Sequence, residues 1–416
     1  MNNPDITNIF SKITALEQDA VELMKKMITI NSVGPANDGP GEQELADFLE
    51  DYLNRHGFGT VTNYPAPDNR VRGEERPNLV TILKGRNTQK TLWILTHTDI
   101  VPAGDLSKWD TDPFDPLVTD GKIYGRGSED NHQGTVSSLI MARAFIEAGI
   151  EPDTNIGLVF MADEETGSEY GLSYLLKNHS ELFKKDDLII IPDAGEPDSK
   201  MIEVAEKSIL WIKFKTIGRQ VHASVPDEGI NAFRAASNLV VKLDELHHIY
   251  DASDEVFAPP RSTFEPTKKE ANVPNVNTIP GDDIFYLDCR ILPQYDINQV
   301  MKTIRGFADE VETICNVKIE ISTEQKEQAA PATDVSAPVV KLLEKAIKKV
   351  YAVEATAQGI GGGTVAAIFR RNGYAVAVWS TIDDLAHQPN EYTQINNIIN
   401  DAKVFALCAF SDQFQG

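Results

Sequence analysis

The run Ile156-Gly157-Leu158-Val159-Phe160-Met161, followed at once by Ala162-Asp163-Glu164-Glu165, decides the fold class of this chain. An apolar run without alternation is typical of a strand buried on both faces, as in the parallel sheets of α/β proteins. The consecutive acids after it repel one another unless a cation lies between them or water surrounds them. This stretch therefore predicts a buried strand that carries carboxylates to one edge of a sheet.

The same arrangement, a short apolar run followed by a residue type that can bind metal, recurs along the chain. The further segments are residues 92–95 before His97 and Asp99, residues 188–192 before Asp193, the loop 125–130 (GRGSED) ending at Asp130, and His387 in a polar loop after a strand at 375–378. In open α/β sheets, ligands collect at the carboxyl ends of the strands. The imidazoles of His97 and His387 with the carboxylates of Asp130, Glu165 and Asp193 suit two divalent ions, and Glu164 is left free to act as a base.

Each of these residues, taken alone, also has a structural explanation. His97 and Asp99 fit a strand end with a solvated acid, and Asp130 fits a helix N-cap. The acidic run 163–165 could be an exposed charged stretch, and Asp193 precedes Ala-Gly, which is a common turn sequence. The prediction of a metal centre therefore rests on the conjunction of the segments.

Composition and charge narrow the class of protein. The chain has 416 residues, and its net charge of −24 comes from 63 acidic and 39 basic residues with no Lys/Arg cluster. A chain of this size usually forms two domains. The acidic balance argues against nucleic acid or an anionic membrane surface as a partner.

The cysteines and the N-terminal residues bear on the cellular location. Cys289, Cys315 and Cys408 are far apart and lack CxxC spacing, which predicts reduced core residues of a cytoplasmic protein. Residues 1–5 lack a signal pattern, and no apolar run approaches the roughly 20 residues that cross a bilayer. We expect a cytoplasmic protein with no membrane association.

The order of elements predicts an α/β fold with an insertion. Strands at 78–83, 91–95, 156–161 and 188–191 alternate with helical patterns, which predicts a mixed, mainly parallel sheet flanked by helices. Between residues 208 and 323 the order becomes roughly β-α-β-β-α-β, the ferredoxin-like α+β arrangement, with a proline-rich loop expected at residues 257–266. We therefore predict a discontinuous domain (1–207 and 324–416) interrupted by a smaller inserted domain (208–323).

These segments together resemble the dinuclear zinc exopeptidases and deacylases, a family that includes acetylornithine deacetylase, succinyl-diaminopimelate desuccinylase, carboxypeptidase G and the carnosinase-type dipeptidases. The resemblance covers nearly the whole chain in order. It implies a zinc-exopeptidase-like catalytic domain with an inserted lid and dimerisation domain. It also implies two divalent ions, with zinc expected and cobalt or manganese as alternatives.

The resemblance implies a role for each residue of the centre. Asp130 would bridge both ions, with His97 and Asp193 on one and Glu165 and His387 on the other. Glu164 would be the general base that deprotonates a bridging water, and Asp99 would orient His97.

The inserted domain carries further residues with implied roles. His222, in the segment 218–224, would reach across a homodimer to stabilise the oxyanion. Asn277 and Arg290 would bind a substrate carboxylate, and Gly361, Gly362 and Thr364 would offer backbone N–H groups to an anionic end. The alternatives are a surface His222, an ordinary ion pair for Arg290 and a simple tight turn at 361–364.

The sequence departs from the family pattern after Asp130. Relatives often have Asp-x-Lys-Gly, whereas His132 stands here in 130–134 (DNHQG). We do not assign it as a metal ligand, and we expect it to lie near the metals and to face the substrate. Dipeptidases and aminopeptidases more often have Asp where Asp193 stands, and deacylases more often have Glu. The prediction is a hydrolase of dipeptides, with an N-acyl amino acid deacylase, a carbamoyl hydrolase or a non-catalytic metal-binding protein as alternatives.

Overall fold

The computed structural model describes residues 4–410. The chain divides into two compact units. The described part of the first runs to Val204 and includes Thr333–Gln358 and the residues from Thr364 onward, and the second comprises Ala205–Ala332 and Gly359–Gly363. The second unit therefore begins three residues before the bounds expected for the insertion (208–323), ends nine residues after them, and takes in part of the glycine loop.

Helices and strands alternate through most of the described chain. The helices are α1 Pro4–Ala15, α2 Glu17–Ile28, α3 Gln43–Arg55, α4 His132–Ala148, α5 Leu172–Asn178, α6 Ala232–Leu243, α7 Leu246–Ile249, α8 Ile297–Cys315, α9 Pro338–Tyr351, α10 Ala366–Arg371 and α11 Ile395–Ala409. The strands are β1 Val61–Asn63, β2 Ala66–Pro67, β3 Glu75–Arg76, β4 Leu79–Leu83, β5 Asn87–His97, β6 Leu117–Thr119, β7 Lys122–Tyr124, β8 Thr154–Met161, β9 Leu188–Gly195, β10 Met201–Glu206, β11 Ser208–Ile217, β12 Val221–His222, β13 Thr263–Lys269, β14 Thr278–Ile279, β15 Asp282–Ile291, β16 Lys318–Glu327, β17 Thr356–Ile360, β18 Val376–Ser380 and β19 Tyr392–Gln394.

The first unit is built on a mixed sheet with the strand order β1-β4-β8-β5-β9-β18-β10-β17. The four central strands, β8, β5, β9 and β18, pair in parallel, and antiparallel pairs flank them. Every residue of β8 and of β18 is buried, which explains their uninterrupted apolar sequences. The predicted α/β class is confirmed, with the parallel pairing confined to the centre of the sheet.

The second unit contains the antiparallel sheet β13-β15-β11-β16. Residues of β15 alternate between buried and more exposed positions, as expected for a sheet with one covered face. Helices α6 and α8 contribute the apolar residues that cover it, among them Leu239 and Val300. With strands and helices in the order β11-α6-β13-β15-α8-β16, this is the predicted ferredoxin-like topology.

One strand of this sheet, β13, begins where we expected a loop. We expected residues 257–266 to form a proline-rich loop, but β13 begins at Thr263 and includes Pro266. The pairing of β13 with β15 shifts register between Pro266 and Lys268, and β13 lies at the edge of the sheet. Proline is tolerated at such positions because its missing N–H does not remove a bond from the sheet interior.

Cys289, Cys315 and Cys408 are free, and Cys289 and Cys408 are buried. Among residues 4–410, no helix combines the length and the apolar character that crossing a membrane requires.

Candidate metal centre

The carboxyl ends of the central parallel strands carry the predicted ligands of the first unit. His97 is the last residue of β5, and it stands in register with Met161, the last residue of β8. Asp193 lies near the end of β9. Parallel pairing places these ends at one edge of the sheet, which is where ligands bind in open α/β folds.

His97 brings two carboxylates together at this edge. Its Nε2 lies 3.0 Å from Oδ1 of Asp130 and 3.2 Å from Oδ1 of Asp193. The imidazole is 1% exposed. Its Nδ1 lies 2.9 Å from the backbone carbonyl oxygen of Asp99, which fixes the ring orientation with Nε2 facing the acids.

A second imidazole lies on the other side of Asp130. The Nε2 of His387 lies 3.3 Å from Oδ2 of Asp130 and 3.0 Å from Oε2 of Glu165. The two oxygens of Asp130 therefore face two different histidines. His387 has a backbone φ of +65°, a conformation that non-glycine residues adopt rarely and that is concentrated at functional sites.

The acidic run after β8 is divided between two environments. The Asp99 carboxylate accepts the backbone N–H groups of Glu164 and Glu165, each at 3.0 Å, which turns both side chains toward His97. Asp163 instead lies near the buried Arg76, with Nη1 and Oδ1 3.4 Å apart. Asp99 thus holds the acidic loop through its carboxylate and the His97 ring chiefly through its carbonyl oxygen, since its carboxylate oxygen is 3.5 Å from Nδ1.

Arg76 is the cation that pairs with the acids at the start of this loop. It is fully buried and pairs with Glu42, with Nε 2.7 Å from Oε2, and it also contacts Asp68 and Asp163. The carboxylate of Glu42 also lies 3.3 Å from the backbone nitrogen of Asp163, whose N–H donates to it. Glu42 and Asp163 therefore share one buried guanidinium, which also lies 3.4 Å from Asp68.

We expect Arg76→Met to lower the free energy of unfolding by about 3–5 kcal/mol, because it leaves buried carboxylates without their cation. Chemical denaturation followed by circular dichroism measures this loss. The control is Lys25→Met, whose side chain is 37% exposed and pairs with Glu22, which is 58% exposed. Exposed pairs contribute at most about 1 kcal/mol, so equal losses for the two variants would contradict the role of Arg76.

The pKa values of the centre reflect its crowded carboxylates. Burial raises the pKa of Glu164 well above its usual value, and the charge of Asp193 raises it further. Burial lowers the pKa of His97, but hydrogen bonds to Asp130 and Asp193 outweigh it, so the net pKa is well above normal. Hydrogen bonds to Asp130 and Glu165 raise the pKa of His387 to about 10. Without metal, the acids thus draw protons onto the imidazoles.

The donor set fits divalent cations. Ligand atoms of His97, Asp130 and Glu165 lie within 4.8 Å of one another, and so do those of His97, Glu164 and Asp193. Imidazole nitrogens and carboxylate oxygens in this combination bind zinc and related ions. A cation would also relieve the repulsion among the buried carboxylates.

The loop that carries Asp130 has special backbone requirements. Gly127 has φ +82°, and a Cβ there would lie 2.7 Å from Cγ2 of Ile100, so no other residue fits without strain. Asn131 donates its side-chain amide to Oδ1 of Asp193 at 2.6 Å, which links this loop to β9. A Cβ at Gly134 would lie 2.7 Å from Cγ of Pro192, so glycine lets α4 approach β9.

Comparison with known proteins now identifies the family. The model of peptidase family M20/M25/M40 matches residues 93–411, which is most of the chain. The chain belongs to peptidase family M20/M25/M40. It is therefore a hydrolytic metalloenzyme that acts on amide bonds.

Individual relatives of this M20/M25/M40 chain agree with the assignment. It is 45% identical over 405 residues to an uncharacterized metallohydrolase of Methanocaldococcus jannaschii, covering 94% of this chain and 98% of the relative. It is 26% identical over 381 residues to the succinyl-diaminopimelate desuccinylase of Nitratiruptor sp., covering 90% and 94% of the two chains. Human carnosine dipeptidase 1 shares the fold, with a TM-score of 0.73 at 20% identity over 98% of both chains.

His132 is placed differently from our expectation for this family member. Its side chain is completely buried, so it does not face an accessible cleft in this structure. Neither ring nitrogen has a hydrogen-bond partner among the described residues. Burial lowers the pKa of His132 to about 3, so the ring is neutral.

The remaining predicted residues lie mainly in the second unit. His222 is exposed, with Nδ1 2.7 Å from Oγ of Ser224 and Nε2 3.5 Å from the side-chain amide of Asn277. Arg290 binds Asp288 through Nε at 2.8 Å and donates from Nη1 to the carbonyl oxygen of Gly361 at 2.7 Å.

The rest of the glycine loop is divided between the two units. Gly362 belongs to the second unit, and Thr364 belongs to the first, where it accepts the N–H of Ala366. The substrate-binding roles of these residues and of Arg290 stay predictions.

Our sequence interpretation assigned no role to two buried acids beside the centre, Glu129 and Glu391. The Glu391 carboxylate accepts the N–H groups of Gly127, Glu129 and Asp130 at 3.0, 2.8 and 3.1 Å. Burial raises the pKa values of both acids to about 7. Their position in the sequence is the feature that could have indicated a role. Glu129 directly precedes Asp130, and Glu391 ends the segment that begins with His387.

Proposed function

We propose that this protein hydrolyses an amide bond in a small substrate, a dipeptide or an N-acyl amino acid, with two divalent metal ions. Asp130 would bridge the ions, with His97 and Asp193 on one and Glu165 and His387 on the other. Zinc is the proposed metal, with cobalt and manganese as alternatives. When bound, the ions would polarise the scissile carbonyl and acidify water.

The observation that carries this proposal is the arrangement around Asp130. Its two oxygens lie 3.0 and 3.3 Å from the Nε2 atoms of His97 and His387. Asp193 and Glu165 each lie beside one of these imidazoles. Two imidazoles that face the two oxygens of one carboxylate, each with a further acid beside it, are what a bridged pair of ions requires.

Glu164 is the proposed catalytic residue. It lies within the ligand-atom cluster of His97 and Asp193 and is held there by its backbone N–H bond to Asp99. It would accept a proton from the attacking water and return it to the leaving nitrogen, so that water and amide give a carboxylate and an amine. General base catalysis of this kind contributes about 100- to 10,000-fold.

The substrate proposal favours a dipeptide. The family tendency at the position of Asp193 points toward dipeptidases and aminopeptidases, and human carnosine dipeptidase 1 shares the fold. An N-acyl amino acid deacylase is the second candidate, because a relative at 26% identity is named a succinyl-diaminopimelate desuccinylase.

Amine release distinguishes these candidates. Enzyme stripped with a chelator and reloaded with zinc is assayed against dipeptides and against N-acetyl and N-succinyl amino acids. We expect no turnover by the stripped enzyme, and turnover of dipeptides after reloading, because the donor set binds the ions that the reaction needs. Reloading with cobalt or manganese in parallel ranks the metals.

The other outcomes are equally informative. Turnover of N-acyl substrates alone would make the protein a deacylase and overturn the inference from Asp193. Ammonia release from carbamoyl substrates would indicate the carbamoyl branch. Two bound ions with no turnover of any substrate would favour a non-catalytic metal-binding protein.

We also propose that the inserted domain, residues 208–323, forms a lid and mediates a homodimer in the cytoplasm. In that arrangement His222 would donate to the oxyanion of the partner site, and Arg290, Asn277 and the loop 361–364 would bind the substrate end. This part of the proposal rests on the resemblance of the inserted domain to the lid and dimerisation domain of the family. Sedimentation velocity tests the dimer, and a monomer at micromolar concentration would contradict it.

A further inference from the structure

Two loops of the first unit exchange buried carboxylates. We name them the Asp130 loop (residues 125–131) and the His387 loop (residues 383–391). Each carries one proposed ligand of the second ion, which we define as the ion that Glu165 and His387 would bind with Asp130. Each loop also binds the backbone of the other through a glutamate. Glu391 belongs to the His387 loop, and Glu129 belongs to the Asp130 loop.

Glu391 organises the Asp130 loop. Its carboxylate accepts three consecutive or near-consecutive backbone N–H groups of that loop, including the N–H of Asp130 itself. The guanidinium of Arg126 adds an ion pair at 2.6 Å. Glu391 is completely buried. Hydrogen bonds to a buried carboxylate are among the strongest in proteins, so this acid determines the conformation of the loop.

Glu129 organises the His387 loop in return. Its Oε1 accepts the backbone N–H of Asp383 at 2.6 Å, and its Oε2 accepts the backbone N–H of Leu385. Glu129 is 5% exposed. These two bonds lie just before His387, which is itself exposed and has a left-handed backbone. Glu129 therefore holds the residues that precede His387 in the sequence, whereas Glu391 follows it.

Strand pairing extends this connection. The backbone N–H of Gly125 donates to the carbonyl oxygen of Glu391 at 3.0 Å. Directly beyond it, β19 pairs with β7, with Tyr392 opposite Tyr124. Both loops thus adjoin the same end of the β7–β19 pair. Beyond that end, the carboxylates of Glu391 and Glu129 connect the two loops.

We propose that Glu129 and Glu391 are positioning residues that set the separation of Asp130 and His387 and thereby the affinity for the second metal ion. The inference rests on the proposed two-ion function. Neither glutamate is placed among the ligands of the ions. Each acts through the backbone of the loop that carries a ligand.

The two glutamates differ in what they hold, and their variants differ accordingly. Glu129→Gln replaces one acceptor oxygen by an amide that faces an N–H donor, which releases the His387 loop alone. We expect it to lower the affinity for the second ion by about 10- to 100-fold, which is the usual effect of losing an outer partner of a ligand. The affinity for the first ion should change little. Glu391→Gln disturbs the loop of Asp130, the proposed bridging ligand, so the affinity for both ions should fall.

The matched control is Glu203→Gln. Glu203 is also completely buried and pairs with Arg370 at 2.8 Å, and it lies on β10, a strand that carries none of the proposed ligands. Its variant should lower thermal stability and still bind two ions as the wild type does. Zinc titration by calorimetry and cobalt titration by visible absorption measure each binding step, and thermal unfolding of the metal-free proteins measures stability.

The outcomes separate this inference from the proposed function. A wild-type protein that binds fewer than two ions would overturn the proposed function. Two ions in the wild type with unchanged affinities in Glu129→Gln would overturn only the role of Glu129. Equal loss of the second ion in Glu203→Gln would show a general effect of buried acids and also overturn it.

A measurement on the wild-type protein tests the contacts of Glu129 without relying on the folding of a variant. Hydrogen exchange of the metal-free protein reports on the amides of Asp383 and Leu385 directly. Because both lie in a loop and donate to Glu129, we expect them to exchange more slowly than the neighbouring amides. Exchange as fast as that of an unstructured peptide would contradict the contact from which the inference starts.

Discussion

Glu164→Gln is expected to lower kcat by about 100- to 10,000-fold and to leave the metal content near that of the wild type. The amide cannot accept a proton from water, whereas the proposed ligands stay in place. Steady-state kinetics on the best substrate of the panel and metal analysis of the dialysed protein measure the two quantities.

Glu169→Gln is the control for this substitution, because Glu169 is an exposed acid in the same loop. It should retain wild-type activity. Full activity in Glu164→Gln would remove Glu164 as the base. A loss of metal together with activity would instead make Glu164 a ligand, in line with its place among the ligand atoms of His97 and Asp193.

Asp130→Ala should have the largest effect on metal binding. Its two oxygens face both histidines, so its removal is expected to release both ions. Since metal ions supply several kcal/mol of charge stabilisation, kcat/KM should fall by at least about 1,000-fold. Metal analysis after dialysis and substrate kinetics measure the outcome.

Two comparisons sharpen this prediction. His387→Ala removes a proposed ligand of one ion only and should retain the other. Asp186→Ala changes an exposed aspartate outside the centre and should behave as wild type. Retention of both ions by Asp130→Ala would exclude the bridging role.

The edge at which the proposed ligands meet could be predicted from the chain because strand ends in a parallel sheet share one edge. The apolar runs of β8 and β9 are buried along their length or most of it, as their composition indicates. Strand β13 was missed because Pro266 normally argues against a strand, and an edge position with a register shift removes that objection.

The local pattern could not predict the division of the acidic run, and only the family resemblance assigned Glu164 and Glu165 to the centre. Asp163, Glu164 and Glu165 are equivalent in the sequence, and only the buried Arg76 and the carboxylate of Asp99 separate them. Arg76 lies 87 residues from Asp163 in sequence. Local patterns carry no information about such partners.

The sequence by itself determined the α/β class, the inserted ferredoxin-like unit and the types of ligand, because buried strands and their terminal residues leave a local pattern. Only the tertiary structure decided which partners separate Asp163 from the acids of the centre, that His132 is buried, and that Glu129 and Glu391 connect two loops across more than 250 residues of chain. The physical reason is that a hydrogen bond between a buried carboxylate and a distant backbone amide leaves no periodicity in the sequence. Its donor is the same in every residue type except proline.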